Sequence, residues 1–130
     1  MKHHLLLVED NPDDQCMVKR ALRDIPDLKI DIAENGREAV DYLFSREDTP
    51  PGLVLLDLKM PRMGGNEALK LIREKQALAD LPVVIFTSSN EPSDIAESIK
   101  SKAAEFVQKP VNFDRYNCVL RDLVKRYMGL

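Results

Sequence analysis

The chain alternates short apolar runs with longer stretches in which apolar residues recur every three or four positions. The runs at residues 5–8, 53–56, 83–86 and 106–108 are bounded by turn residues and indicate buried strands. A further stretch, 29–33, alternates polar and apolar residues, which is typical of an edge strand. The stretches between the strands have the spacing of amphipathic helices. The pattern therefore predicts regularly alternating strands and helices.

The expected bounds of these elements follow from the turn and capping residues. The strands are predicted at 4–8, 29–33, 53–56, from 83 onward and 105–109, and the helices at 12–24, from 36, from 66, from 92 and from 113. Asn11 and Pro12 have the residue types of a helix N-cap and first helical position. The fourth helix is expected to pack through Ile95, Ala96 and Ile99, and the fifth through Phe113, Tyr116, Leu120, Leu123, Val124 and Tyr127.

Regular alternation of strand and helix predicts an α/β fold with helices on both faces of a parallel sheet. The first, third and fourth strands are apolar throughout and belong in the centre, whereas the second and fifth carry charge and belong at the edges. With right-handed crossovers the strand order is 2-1-3-4-5, a flavodoxin-like doubly wound, five-stranded sheet. Helices 1 and 5 then cover one face, and helices 2, 3 and 4 the other.

Charged and hydroxyl residues stand where the predicted strands end. Glu9 and Asp10 follow the first strand, Asp57 the third and Thr87 the fourth, and Lys109 closes the fifth. Because the carboxyl ends of parallel strands meet at one edge of a sheet, these side chains are expected to gather there. Three carboxylates facing one lysine leave a negative charge that suits a divalent cation with oxygen ligands, and Mg²⁺ is the expected ion.

These residues resemble the receiver domain of two-component response regulators, including the chemotaxis-regulator type. The acidic pair, Asp57 with its turn at 58–65, Thr87 and Lys109–Pro110 stand in the family's order and spacing, and the resemblance covers nearly the whole chain. The segment 9–14 is more narrowly similar to single-domain receivers that partner phytochrome-type kinases. We therefore expect one receiver domain over residues 1–130, with no output domain.

The resemblance implies a phosphorylation site at the clustered acids. Asp57 is expected to accept a phosphoryl group as an acyl phosphate, and Lys109 to offset the negative charge. By the same resemblance Glu9, Asp10 and Asp57, with the backbone carbonyl of Lys59, are expected to hold Mg²⁺. Asp13 and Asp14 are interpreted instead as partners of the helix dipole.

The resemblance also implies which residues respond to phosphorylation and which affect the lifetime of the phosphoryl group. Thr87 is expected to bond the phosphoryl group and, with Phe106, to form the switch pair. Lys59 and Ser89 occupy positions that tune the lifetime of the phosphoryl group in this family. The Lys109–Pro110 peptide bond is expected to be cis, as in relatives, although cis is a minority state even before proline.

The function implied is a phosphorylation-controlled signalling switch in a phosphorelay. The phosphoryl donor is expected to be a phosphohistidine on a partner histidine kinase or phosphotransfer protein, and the domain to catalyse only its own phosphorylation and dephosphorylation. The output is expected through protein contacts of helix 4, strand 5 and helix 5, a surface that is also a candidate for a homodimer. The downstream target is not predictable from the sequence.

Charge and composition restrict the surroundings of the protein. A net charge of -3 and a pI near 5.4 argue against a basic nucleic-acid-binding face. Because no apolar stretch has the length to span a bilayer, we expect a cytoplasmic protein without membrane contact. Cys16 and Cys118 match no metal or redox spacing and are interpreted as buried or half-buried thiols.

Other protein classes also place an aspartate or a phosphate site at such a sheet edge. A phosphatase of the haloacid-dehalogenase type requires a second acid two residues after the nucleophile, where this chain has Lys59. A flavodoxin requires a phosphate cradle after the first strand, where Glu9 and Asp10 would repel phosphate. A docking module that works without phosphorylation stays open, although the intact acidic set argues against it.

Overall fold

The computed structural model describes residues 3–130. Its elements are β1 (His3–Val8), α1 (Pro12–Leu22), β2 (Leu28–Ala33), α2 (Gly36–Phe44), β3 (Leu53–Leu56), α3 (Gly65–Glu74), a short 3₁₀ helix (Gln76–Leu78), β4 (Val83–Thr87), α4 (Pro92–Lys100), β5 (Glu105–Gln108) and α5 (Phe113–Met128). Asn11 caps α1 as predicted, because its side-chain oxygen accepts the Asp13 backbone N–H at 2.8 Å. The predicted bounds therefore agree with the structure to within one or two residues.

The strands form one parallel sheet in the order β2-β1-β3-β4-β5, which confirms the predicted topology. Val8 of β1 pairs with Leu56 of β3, so the residues that follow these strands lie side by side. Thr87 of β4 pairs with Gln108 of β5 in the same way. The register thus brings the ends of four strands to one edge of the sheet.

The two faces of the sheet carry separate apolar cores, with the helices distributed as predicted. On one face α1 and α5 cover alternate residues of the central strands, and Val18, Leu22, Leu120 and Leu123 belong to the buried cluster on that face. On the other face α2 and α3 cover the remaining strand residues, and α4 packs beside α3 and β5. The central strands β1, β3 and β4 are therefore enclosed from both sides.

The prediction that α4 packs through Ile95, Ala96 and Ile99 is wrong, since only Ile95 is even half-buried. Ile95 is half-buried, Ala96 is exposed and Ile99 is 66% exposed, whereas Ser98 is the buried residue of this helix. The Ser98 hydroxyl is satisfied because it donates to the Ile95 carbonyl at 2.9 Å. Since α4 lies at the end of the sheet, only a narrow strip of it meets α3 and β5. Phe113, predicted to pack inward from α5, is likewise 53% exposed.

Two further local predictions are wrong. Cys16 and Cys118 are free and exposed, because the faces of α1 and α5 that meet the sheet are filled by other residues, among them Val18 and Tyr116. No peptide bond within residues 3–130 is cis, so the bond between Lys109 and Pro110 is trans. Trans is the lower-energy form by about 0.5–1 kcal/mol before proline, and Lys109 reaches the clustered acids with this bond. No helix in the described part of the chain has the length and apolar character needed to cross a membrane.

Candidate functional site

Three carboxylates meet where β1 and β3 end. Glu9, Asp10 and Asp57 each place one oxygen within 4.8 Å of the others, with Glu9 and Asp57 buried and Asp10 exposed. We call these three residues and Lys109 the carboxyl rim. The structure therefore brings together the acids that the sequence placed on neighbouring strands.

Backbone hydrogen bonds fix the two buried acids of the carboxyl rim. The Glu9 N–H donates to the Ala33 carbonyl at 2.9 Å and the Asp57 N–H to the Val8 carbonyl at 3.1 Å, which continues the sheet pairing past the strands. The Leu58 N–H donates to Asp57 Oδ1 at 2.7 Å. Asp57 thus has one oxygen held by the backbone, while Oδ2 faces the centre of the rim.

Lys109 is the cation of the carboxyl rim, and its side chain is only 8% exposed. Its Nζ lies 2.5 Å from Glu9 Oε1, 3.1 Å from Asp14 Oδ2 and 3.6 Å from Asp57 Oδ2. Its backbone N–H donates to the Thr87 carbonyl at 2.7 Å, which fixes where the side chain starts. The single ammonium group of Lys109 therefore contacts the carboxylates of Glu9, Asp14 and Asp57. It does not fully balance their negative charge.

The pKa values of both Glu9 and Lys109 are raised, for different reasons. Burial, together with the negative charge of Asp57, raises the pKa of Glu9 from 4.5 to about 7 despite its contact with Lys109. Burial alone would lower the pKa of Lys109, but the hydrogen bond to Glu9 and the charges of Asp57, Glu9 and Asp14 outweigh it and raise that pKa. Added positive charge, as a proton or a metal ion, is thus favoured here.

The turn after β3 approaches the carboxyl rim too closely for a side chain at its end. A Cβ on Gly65 would collide with the Asp57 carbonyl oxygen and with the backbone of Leu58. The Gly65 N–H donates to the Leu58 carbonyl at 3.1 Å and so closes the turn. Glycine at 65 therefore allows α3 to begin directly beside Asp57.

The predicted switch pair lies on one face of the sheet. Thr87 is buried, and its hydroxyl oxygen accepts the Ser89 backbone N–H at 3.3 Å. Phe106 pairs with Ile85, which stands two residues before Thr87 and on the same side of β4. Phe106 is half-buried and packs against the core under α2 and α3. Thr87 and Phe106 therefore lie diagonally across neighbouring strands on the same face of the sheet.

The two residues predicted to tune the phosphoryl lifetime share a partner on α4. Lys59 Nζ lies 3.4 Å from Asp94 Oδ2, and the Ser89 hydroxyl donates to the same oxygen at 2.6 Å. The hydrogen bond from Ser89 and then the contact with Lys59 lower the pKa of Asp94. The side chain of Lys59 is thus directed toward α4.

Sequence reasoning missed several residues around the carboxyl rim. Asp14, taken only as a dipole partner, also contacts Lys109, and the Gln15 side-chain amide donates to the Glu9 carbonyl at 2.7 Å. The signal was available, because a helix beginning at Pro12 must place its first turn over the end of β1. Asp94 had no such signal, since its contacts with Lys59 and Ser89 depend on the conformations of the segments that follow β3 and β4.

The amino-acid sequence of this chain is similar to those of known response regulators. The family model described as the response regulator receiver domain matches residues 5–121. The chain is 34% identical over 122 residues to response regulator Rre1 of a Synechocystis species, and the match covers 94% of this chain and 52% of Rre1. The chain therefore spans only about half the length of that relative.

Solved structures resemble the whole fold. The phosphorylated cyanobacterial phytochrome response regulator RcpA superposes with a TM-score of 0.93 at 25% identity, covering 99% of this chain and 96% of RcpA. The Mn²⁺-bound form of response regulator Rcp1 superposes with a TM-score of 0.85 at 28% identity, covering 95% of this chain and 92% of Rcp1. Both likenesses extend over nearly the full length of this chain.

Proposed function

The chain belongs to the response regulator receiver domain family, and from this premise we propose that Asp57 accepts a phosphoryl group and that this modification switches the domain between two states. The observation that carries the proposal is the carboxyl rim. Asp57 keeps one oxygen facing Lys109 while its other oxygen is held by the backbone. An ordinary surface aspartate has neither this fixed orientation nor a buried cation beside it.

Mg²⁺ is the cofactor that fits this set of donors. Glu9, Asp10 and Asp57 offer oxygen ligands within 4.8 Å of one another, as a hard divalent cation requires. By family resemblance, the backbone carbonyl of Lys59 completes the share of ligands from the protein. The bound ion supplies positive charge that offsets the negative charge of an incoming phosphoryl group. The similar regulator Rcp1 has been solved in an Mn²⁺-bound form, which supports a divalent ion in this chain as well.

The residues of the chain itself position the transfer. Asp57 Oδ2 is the nucleophile: a new P–O bond forms as the P–N bond of the phosphohistidine donor breaks, and the imidazole leaves. Lys109, 3.6 Å from that oxygen, pairs with the phosphoryl oxygens, and Thr87 and the Ser88 backbone N–H donate to them. Hydrolysis by water returns Asp57 to its carboxylate. On this proposal the domain catalyses only these steps on itself.

The switch proceeds from Thr87 to Phe106. When the Thr87 hydroxyl turns to donate to the phosphoryl group, its bond with the Ser89 N–H is lost and space opens beside β4. The half-buried ring of Phe106 fills that space, and the surface of α4, β5 and α5 changes. Lys59 and Ser89, which both contact Asp94, set how long the phosphoryl group lasts.

The partners follow from this chemistry. The donor is a histidine kinase or phosphotransfer protein, and the readout is a downstream protein that binds one state of the α4–β5–α5 surface. That surface exposes Ile99, Val111 and Phe113, which supports both partner binding and a phosphorylation-dependent homodimer. That the domain works in the cytoplasm stays a prediction.

Phosphorylation by a small acyl phosphate in the presence of Mg²⁺ tests the proposal. Intact-mass measurement is expected to show one added phosphoryl group in the wild type and in Asp13→Asn, a matched exposed acid on α1. Asp57→Asn is expected to take up none, and peptide mapping to place the group at Asp57. Phosphate on a serine, or equal uptake by Asp57→Asn, would refute the nucleophile.

A further inference from the structure

Helix α4 packs against α3 and β5 through a narrow strip, and polar contacts hold its two ends. It buries Ser98 and leaves most of its apolar face in solvent. Its C-terminal end is tied to α3, because Arg73 donates to the Lys102 carbonyl through Nε at 3.2 Å and Nη2 at 3.1 Å. No described side chain caps its N-terminus, unlike those of α1, α2 and α5. The start of α4 therefore depends on whatever contacts its first turn.

Asp94 supplies those contacts. It lies in the first turn of α4, where a carboxylate is favoured by the helix dipole. One of its oxygens, Oδ2, receives both the Ser89 hydroxyl at 2.6 Å and the Lys59 ammonium at 3.4 Å. Ser89 in turn donates its backbone N–H to Thr87 Oγ1 at 3.3 Å. A continuous chain of contacts thus runs from the end of β4, through Asp94, to the residue two positions after Asp57.

We propose that Asp94 is a positioning residue that clasps Lys59 and Ser89 to the first turn of α4, and that a phosphoryl group on Asp57 opens this clasp. The second half of the inference rests on the proposed function. A phosphoryl group carries about -1.5 to -2 charges at neutral pH, so it attracts Lys59 more strongly than Asp94 does and repels the Asp94 carboxylate. When the Thr87 hydroxyl turns toward the phosphoryl group, the Ser89 backbone N–H loses its hydrogen bond to Thr87 Oγ1 as well.

The consequence is a second connection from the phosphorylation site to α4, separate from the movement of Phe106. Lys59 belongs to the turn after β3 and Ser89 to the loop after β4, so Asp94 contacts the segments that follow both strands. Since α4 has little buried apolar area, losing both contacts at Asp94 is expected to loosen its first turns. The clasp therefore couples the state of Asp57 to the exposed surface of α4.

Amide hydrogen exchange over residues 92–100 tests the clasp without phosphorylation. Asp94→Asn keeps the shape of the side chain but removes its charge, and Lys59→Met removes the cation while keeping the backbone carbonyl. Each is expected to raise exchange in this segment about two- to fivefold, the range for a partly exposed ion pair, and the double variant no more than either single one. Asp41→Asn, which breaks the exposed pair of Asp41 with Arg37 on α2, is the matched control and is expected to leave α4 unchanged.

The phosphorylated proteins provide the second readout. Phosphorylation of the wild type is expected to raise exchange over 92–100 to the level of unmodified Asp94→Asn, and phosphorylation of Asp94→Asn to add little. Unchanged exchange in unmodified Asp94→Asn, or additive effects of the two single variants, would overturn the clasp. An equal rise on phosphorylation in wild type and Asp94→Asn would overturn its opening by phosphate. Failure of Asp57 to take up phosphate would reject the proposed function, while the unphosphorylated comparison would still decide whether the clasp exists.

Discussion

The carboxyl rim and the outer surface of α4 depart from ordinary protein packing in opposite directions. The rim buries charge: the side chains of Lys109 and Glu9 are almost inaccessible to solvent, and Lys109 Nζ lies 2.5 Å from Glu9 Oε1. The α4 surface exposes apolar side chains instead, with Ile99 and, at the start of α5, Phe113 in solvent. Buried charge and exposed apolar area both cost stability unless a partner compensates. The difference suggests that the rim is completed by a cation and a phosphoryl group, and the α4 surface by another protein.

Removing the buried cation is expected to have the largest effect. Lys109→Met leaves the acids of the carboxyl rim and the transferred phosphoryl group without their ammonium partner, so phosphorylation of Asp57 is expected to slow about 10²–10³-fold, as on loss of a positioned electrostatic donor. Rates of phosphoryl uptake from an acyl phosphate measure this. Lys70→Met, an exposed lysine on α3, is the control and is expected to react at the wild-type rate. Equal rates in both variants would contradict the role of Lys109.

The second-largest effect is expected in how the free energy of unfolding of the metal-free protein depends on pH. The pKa of Glu9 is raised from 4.5 to about 7 by folding, so the stabilisation that comes from its protonated form is present at low pH and lost as pH rises through about 7. Relative to Glu9→Gln, the wild type is expected to lose up to about 3 kcal/mol between pH 5 and pH 8. Urea unfolding at several pH values measures the difference. Glu67→Gln, an exposed acid on α3, is expected to track the wild type, and parallel curves for wild type and Glu9→Gln would show the Glu9 assignment to be wrong.

Metal affinity is expected to change by a smaller amount. Mg²⁺ is expected to bind the wild type with a Kd around millimolar or below, because it keeps several waters at such sites. Asp10→Asn removes one carboxylate ligand and is expected to weaken binding about tenfold, the effect of roughly 1.4 kcal/mol. Titration followed by calorimetry or NMR measures both values. Asp13→Asn, the neighbouring exposed acid on α1, serves as control, and unchanged affinity in Asp10→Asn would remove Asp10 from the metal site.

The smallest effect is expected at the α4 surface. Ile99→Ser removes an apolar side chain that contributes little to the core, so the free energy of unfolding is expected to change by less than about 0.5 kcal/mol. Leu120→Ala, a buried residue of α5, is the matched comparison and is expected to cost about 2–5 kcal/mol. Denaturant unfolding of both variants measures the contrast. A large loss in Ile99→Ser would show that α4 packs more tightly than the exposure of Ile99 indicates.

The same two regions show what sequence reasoning can and cannot reach. The carboxyl rim was predictable because strand register places Glu9 beside Asp57, and both follow apolar runs whose direction and pairing are strongly determined. The buried face of α4 was not predictable from periodicity. The apolar spacing of Ile95 and Ile99 is that of a core helix, but the sheet ends at β5 and offers this helix little surface to cover.

Contacts between loops and helices were the second feature that the sequence could not predict. Asp14 was recognisable from the position of α1, whereas the contacts of Asp94 with Lys59 and Ser89 depend on how the loops after β3 and β4 meet α4. The Lys109–Pro110 bond, expected to be cis by resemblance, is trans in the structure. Side-chain chemistry at strand ends is therefore predictable, while loop-to-helix contacts need the structure.

Control of the α4–β5–α5 surface by the carboxyl rim is open to a direct test by amide hydrogen exchange with and without phosphorylation of Asp57. Phosphorylation is expected to change exchange over residues 90–102 and 105–116 in the wild type. Thr87→Ala, although still phosphorylated, is expected to show a clearly smaller change, because it lacks the hydroxyl that turns toward the phosphoryl group. No change in the phosphorylated wild type, or an undiminished change in Thr87→Ala, would contradict this control.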